Sequence, residues 1–316
     1  MRFFQKNDIR TSAGEKASPT PIFYCVIEIS TAVFVIISSE FMLFSKRLSL
    51  FWWRQSFNVN DLRSSFEDWS SCVQDEMEHY VFDPNLMWEN AEPILTYCQN
   101  RFQLKSRIKS QNFSNLDEDK YVILPKNNDP VSVLTIGIGQ DVLSEMKLKK
   151  VLSSGSEFIG VDPVLINKQL YEPIGKYFPF AISSKNDRKW TSVLKEGSHK
   201  DYVLRNVAHR HIIRFLKDDI NKTFVDNLWL DSEGAEYELL PYFYEGGKFD
   251  KYNIVFCQIN IEIHLPDYEM RRKFMQFMYH LITEKRYLIS HPVKFYHVRL
   301  YLLNVWHPEC ISRYLY

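Results

Sequence analysis

Charge of one sign is what this 316-residue chain lacks most plainly: 39 lysines and arginines balance 39 aspartates and glutamates. With no net field, and no basic stripe interleaved with exposed aromatics, nucleic acid is not an expected partner. Cysteine is sparse and poorly spaced for a metal. Cys25, Cys72, Cys98, Cys257 and Cys310 include no C-x-x-C pair, which argues against a structural zinc site. Cys72 and Cys98 can pair in an oxidising compartment or stay as buried free thiols. Internal repeats and low-complexity tracts are also missing, which excludes solenoids and disordered stalks. What is present, 45% hydrophobic and 25% charged residues, is the composition of an ordinary globular chain with a sizeable core.

Near the N-terminus, Pro21 to Ser39 is nearly all apolar or small and close to the ~20 residues that a membrane-crossing helix needs. It reads as a signal anchor within residues 20–44, after a tail at 1–19, with a buried core helix as the alternative. Glu28 opposes insertion by about 2.5 kcal/mol or more, which the surrounding Val, Ile and Phe can offset. The positive charges lean slightly towards a cytoplasmic N-terminus. The expectation is therefore a single-pass membrane protein of the secretory pathway with a lumenal catalytic domain. The sequons Asn112-Phe113-Ser114 and Asn221-Lys222-Thr223 fit that side.

Residues 45–120 read as a helical stem and linker. Leu62, Phe66, Trp69, Val73 and Met77 recur at three- and four-residue steps, predicting an amphipathic helix from Asn60. A second helix is expected around Trp88 to Phe102, and the polar run Lys105 to Asp119 reads as an exposed linker. Residues 121–316 change rhythm. Strands are expected at Val131 to Ile138, Glu157 to Asp162, Tyr177 to Ser183, Asn227 to Asp231 and Asn253 to His264, with helices such as Val142 to Leu152 and Tyr268 to Lys285 between several of them. That alternation implies a mostly parallel sheet covered on both faces. Arg286 to Ser290 and Tyr296 to Trp306 suggest a closing antiparallel strand.

Three turns carry chemistry. In Thr135-Ile136-Gly137-Ile138-Gly139-Gln140-Asp141 the glycines let the backbone approach a nucleoside ligand, and the next helix aims its free N–H groups at the same crevice. One unit downstream, Phe158-Ile159-Gly160-Val161-Asp162-Pro163 ends a strand in a carboxylate placed either for both ribose hydroxyls or to cap the next helix. Leu228 to Glu236 then puts Asp231, Glu233 and Glu236 on the turn after the fourth strand, facing the ligand crevice. In the fifth strand Asn260, Glu262 and His264 alternate onto one face, where Glu262 or His264 can take a proton from a hydroxyl or simply be satisfied in place. His209 and His211 lack a third ligand and read as surface residues.

The Asp231 to Glu236 stretch resembles the D-x-E-G-x-E signature of the FkbM methyltransferases, and the glycine loop, Val161-Asp162-Pro163 and Phe180 to Ser183 fall in that family's order. The chain is similar to its divergent members found in nematodes. The resemblance implies an α/β, Rossmann-like class I methyltransferase sheet with helices on both faces, here preceded by the transmembrane helix and small helical stem. It implies S-adenosylmethionine as cofactor and a small-molecule or glycan acceptor, giving an O-methyltransferase for a carbohydrate or glycoconjugate hydroxyl. Carried over by position, Gly137, Gly139, Asp141, Asp162 and Glu236 would meet the cofactor, and Asp231, Glu233, Glu262 and His264 the reacting edge; nothing demands a metal. The family pattern has an acid where Thr135 stands and a third glycine where Asp141 stands, and Asp141 can cap the helix or meet the cofactor's ammonium group. The competing readings are a nicotinamide dehydrogenase, disfavoured by Val142 where a third glycine is wanted, and a membrane-anchored binding module that has lost catalysis.

Overall fold

A computed structural model describes residues 59–198 and 201–315, all within the compact unit Phe57–Tyr316. Helix α1 (Val59–Glu78) buries Leu62, Phe66, Trp69, Val73 and Met77, as the three- and four-residue spacing requires. Helix α2 (Pro84–Arg101) starts where the Asp83 carboxylate accepts the N–H groups of Asn85 and Leu86, with Pro84 in its first turn. Cys72 and Cys98 join the two helices in a disulfide, and a second bridge links Cys257 to Cys310. The apolar faces of both helices enter the same core as the sheet that follows.

The signal anchor expected at residues 20–44 lies outside the described residues. Among the described residues no helix is long and apolar enough to cross a membrane. Helix α1 has the length, at 20 residues, but Arg63, Glu67, Asp68, Asp75, Glu76 and Glu78 interrupt it with charge. The transmembrane helix, the membrane as a partner and the single-pass secretory localisation are therefore corrected: the fold is an α/β, Rossmann-like one without a membrane-spanning helix among the described residues.

Strands β1 (Gln111–Ser114) and β2 (Asp119–Val122) form an antiparallel hairpin where the composition suggested a bare linker. Its polar sequence hides buried Phe113, Lys120 and Val122. Side chains from the main sheet complete its backbone pairing: Asn260 bonds the N–H and C=O of Tyr121, and Gln258 those of Ile123.

The main sheet begins with β3 (Ser132–Ile136), β4 (Glu157–Val161) and β5 (Lys176–Phe178). A separate three-stranded sheet follows, made of β6 (Ala181–Ser183), β7 (Asp187–Leu194) and β8 (Tyr202–His211). The single strand expected over Tyr177 to Ser183 is thus divided between two sheets at Pro179, which cannot donate to a ladder. Strands β9 (Phe224–Leu230), β10 (Val255–Ile263), β11 (Tyr287–Lys294) and β12 (Val298–Asn304) complete the main sheet in the order β11-β12-β10-β9-β3-β4-β5. Its five central and edge strands from β10 to β5 run parallel, and β12 and β11 close it antiparallel.

All of β3 and nearly all of β9 and β10 are buried, as a parallel sheet covered on both faces demands. Helices α3 (Leu143–Val151), α4 (Ile166–Tyr171), α5 (Glu236–Leu239), α6 (Tyr268–Glu284) and α7 (Pro308–Tyr314) follow β3, β4, β9, β10 and β12 respectively. Because the chain winds outward from β3 in both directions, a crevice opens at the carboxyl ends of β3 and β9.

Candidate functional site

A cavity of about 420 Å³ occupies that crevice, lined among others by Gly137, Gly139, Asp141, Asp162, Asp231 and Glu233. Gly137 has φ +80°, and a Cβ there would lie 1.7 Å from the Asp231 carbonyl oxygen, so only glycine lets β3 and β9 meet this closely. Gly139 also has positive φ, but nothing stands within 4 Å of its missing Cβ; its bareness leaves open space on the cavity side.

Asp162 ties the two strand tips together. Its Oδ2 accepts the N–H groups of Ile138 (3.0 Å) and Gly139 (3.2 Å), and its Oδ1 accepts that of Val164 (2.7 Å). Burial pushes its carboxyl above the ordinary range, against the pull of those three donors. Oδ1 keeps a lone pair beyond the Val164 bond, so the capping and ligand-binding roles are compatible. Asp141 takes the N–H of Leu143 on Oδ1 and that of Leu116 on Oδ2, fastening the β1–β2 turn to the glycine loop. Buried Glu145, on the helix that follows, accepts the Thr135 hydroxyl at 3.1 Å, and burial raises its pKa to about 7.

On the β9 side, Glu233 and Gly234 both have positive φ, which turns the chain back on itself. Glu236 closes this turn from beneath. It is fully buried, with Oε2 accepting Gly234 N–H (2.9 Å) and Ser232 Oγ–H (3.1 Å) and Oε1 accepting the His264 backbone N–H (2.9 Å) and facing its Nδ1 (3.1 Å). The other ring nitrogen, Nε2, lies 3.4 Å from both Asp231 Oδ1 and Glu233 Oε2. Burial alone would lower the His264 pKa, but the Glu236 hydrogen bond and the three carboxylate charges raise it to about 10. These partners favour the imidazolium, hydrogen-bonded through Nδ1 to Glu236 and ion-paired through Nε2 with Asp231 and Glu233. Burial and the charge of Glu262 raise Asp231 well above the carboxylate range, despite the opposing pull of His264. Burial raises Glu233 as well, whereas Glu236 is held below its usual value because its His264 contacts outweigh burial.

The structure therefore brings Asp231, Glu233, Glu236 and His264 into one cluster beside the cavity that holds Gly137, Gly139, Asp141 and Asp162. Glu262 lies apart from that cavity, buried and bonded through Oε2 to Arg299 Nε at 2.7 Å. Asn260 serves the β2 backbone. Asp231, Glu233 and His264 bring ligand-type atoms within 4.8 Å of one another, as do Glu262, His264 and His297. As it stands, His264 is ion-paired with Asp231, Glu233 and Glu236. His209, expected at the surface, is buried in the small sheet between Thr191 Oγ1 (3.2 Å) and the Val207 carbonyl (3.1 Å), and His211 caps the helical turn after β8.

Sequence reasoning missed two contributors. Tyr202, from the β7–β8 hairpin, lines the cavity together with Glu233. Gln140 anchors that hairpin's tip, donating from Nε2 to the Lys195 and Ser198 carbonyls and accepting the Gly197 N–H. Only Gln140 left a trace in the sequence, by its place inside the glycine turn.

Comparison with known proteins supplies the family. Residues 92–307 match the methyltransferase FkbM domain. An uncharacterized protein of Caenorhabditis elegans is 26% identical over 105 residues, covering 33% of this chain; the chain thus spans about a third, 36%, of the length of that curated relative. Among solved structures, fibrillarin of Aeropyrum pernix with natively bound S-adenosyl-L-methionine matches at 11% identity over 55% of this chain and 67% of its own, with a TM-score of 0.31.

Proposed function

Residues 92–307 make this chain a member of the FkbM methyltransferase family, whose enzymes depend on S-adenosylmethionine, and from that premise we propose that it methylates a hydroxyl of a carbohydrate or glycoconjugate. The observation that carries the reading is the cavity itself, which joins a bare glycine turn, a strand-end aspartate and the Asp231 carboxylate in one space. The residues fit the cofactor: the open space at Gly139 suits its methionine end, the remaining lone pair on Asp162 Oδ1 suits a ribose hydroxyl, and Asp141 stands near enough on the loop to face a positively charged group. When bound, the cofactor supplies a methyl group on a sulfonium, activated for in-line displacement.

Asp231 is assigned the proton. The His264 imidazole, 3.4 Å from its Oδ1, favours the ionised carboxylate that can take a proton, and Asp231 lines the cavity where an acceptor hydroxyl would lie. Glu233, beside Tyr202 in the lining, is assigned a second hydrogen bond to the acceptor. His264 holds both carboxylates in place as a fixed cation, and buried Glu236 positions His264; Glu236 has no oxygen left facing the cofactor. Glu262 is assigned to recognition of the acceptor outside the cofactor cavity.

Asp231→Asn tests the assignment. Removal of the base should lower the methyl-transfer rate by about 10²-fold or more while S-adenosylmethionine affinity, measured by calorimetric titration, changes little. An active variant would remove Asp231 as the base. Failure of the folded wild type to bind the cofactor would instead favour a binding module that has lost catalysis.

A further inference from the structure

A second cavity, of about 270 Å³, shares the turn Asn115–Glu118 with the first and opens between β2, β10 and the β11–β12 hairpin. Its inner wall is a chain of alternating charges. Lys120 Nζ lies 2.7 Å from Glu118, Glu118 lies 3.8 Å from Arg299 Nε, and that same Nε lies 2.7 Å from Glu262. Lys120, Glu118 and Glu262 are each about nine-tenths buried or more, so these groups were taken out of water to build a wall rather than a solvated face.

Two cations against two carboxylates leave the wall uncharged, yet rich in hydrogen-bonding capacity. Arg299 uses Nε on Glu262 and Nη1 on the Asp117 carbonyl, and a guanidinium has five N–H groups. Each carboxylate oxygen likewise has a second lone pair. Asp117 and Asp119 add negative charge at the lining, which disfavours anions. Beside the charged wall stand the Tyr121 and His291 rings, stacked on each other at 3.7 Å and within 5° of parallel, and both line the cavity as apolar surface for the C–H groups of a ring. His291 stays neutral because burial lowers its pKa to about 4.

We propose that this second cavity binds one uncharged, polyhydroxylated ring, and so serves as the subsite that recognises the acceptor's sugar. The link to methyl transfer rests on the function proposed above: Glu262 belongs to the cavity wall and sits within 4.8 Å of His297 and His264, and His264 touches Asp231. The ring site itself stands on its own lining.

Titration of the full chain with methyl glucoside and glucuronate, followed by saturation-transfer NMR and calorimetry, tests it. Val293→Trp is the paired variant, since Val293 lines the cavity but is half exposed on β11, so the larger side chain can fill the space without entering the core. Methyl glucoside is expected to bind the wild type at least tenfold better than glucuronate, and to lose at least tenfold in Val293→Trp. The variant's melting temperature and S-adenosylmethionine affinity should stay within about twofold or a few degrees of wild type. No saccharide binding, equal or better binding of glucuronate, or undiminished binding in Val293→Trp overturns the proposal. Cofactor binding without saccharide binding sinks this subsite alone; saccharide binding without cofactor binding sinks the methyl-transfer reading and leaves the ring site standing.

Discussion

At the scale of single residues the two glycines of the first turn separate sterics from backbone conformation. Gly137→Ala must push a Cβ into the Asp231 carbonyl at positive φ, so overpacking and left-handed strain add to at least about 3 kcal/mol. Gly139→Ala meets nothing within 4 Å and carries only the conformational cost, about 1 to 2 kcal/mol, while placing a methyl group in the proposed cofactor space. Thermal melts should therefore rank Gly137→Ala far below Gly139→Ala, and cofactor titration should find the milder variant folded but weakened in binding. His264 sets a pH dependence whose sign follows from its partners. Folding raises its pKa from 6.5 to about 10, so between those limits the native state holds a proton that the unfolded chain has released. Its stabilising contribution is complete below the lower limit and disappears as pH climbs through the upper one. Urea midpoints should fall between about pH 6.5 and 10 in the wild type, and that fall should flatten in His264→Gln; an equal slope in both would show that the imidazolium cluster contributes nothing.

At the scale of elements, the hairpin β1–β2 depends on side chains that replace a neighbouring strand. Asn260→Ala leaves the N–H and C=O of Tyr121 unpaired, a loss of about 2 to 4 kcal/mol, and amide hydrogen exchange at Tyr121 and Ile123 should accelerate together because Gln258 holds the next pair. Protection unchanged at Tyr121 would refute the staple. This hairpin also marks where sequence reading stops. Strands β3, β4, β9 and β10 were legible because a parallel sheet buried on both faces writes itself as short β-branched runs. The glycine turn, Asp162 and the Asp231 to Glu236 turn were legible because each is a local motif at a strand tip. Strands β7 and β8 were not, since they bury little beyond Val193 and Val207 and expose Trp190, Tyr202 and Leu204. Lys120 and Arg299 were invisible for another reason: their meaning comes from partners brought together by a fold that places Tyr121 against Asn260, 139 positions away.

At the scale of the whole molecule, one hydrophobic core runs from α1 to α7, and the two disulfides cross-link it at different spans of chain. Cys72–Cys98 closes a separation of 26 residues between adjacent helices, whereas Cys257–Cys310 closes 53 and fastens α7 to β10. If a bridge acts by restricting the unfolded chain, the longer loop gives the larger effect: roughly 4.2 kcal/mol for Cys257–Cys310 against roughly 3.6 for Cys72–Cys98. Calorimetry of the two paired Cys→Ala variants should find both melting on the order of 10 °C lower, with the Cys257/Cys310 pair lower by the smaller margin that a doubled loop allows. The reverse ranking would mean that the bridges act through the native packing of α1 on α2, where Cys72 and Cys98 sit among Trp69, Trp88 and Leu95 in the same buried cluster, rather than through the entropy of the unfolded chain. The difference matters for the site, because Cys257 lies on the strand that ends at Ile263, immediately before His264. Loss of that bridge is expected to loosen the imidazolium cluster and to accelerate exchange of the His264 amide, while loss of the Cys72–Cys98 bridge leaves that amide protected.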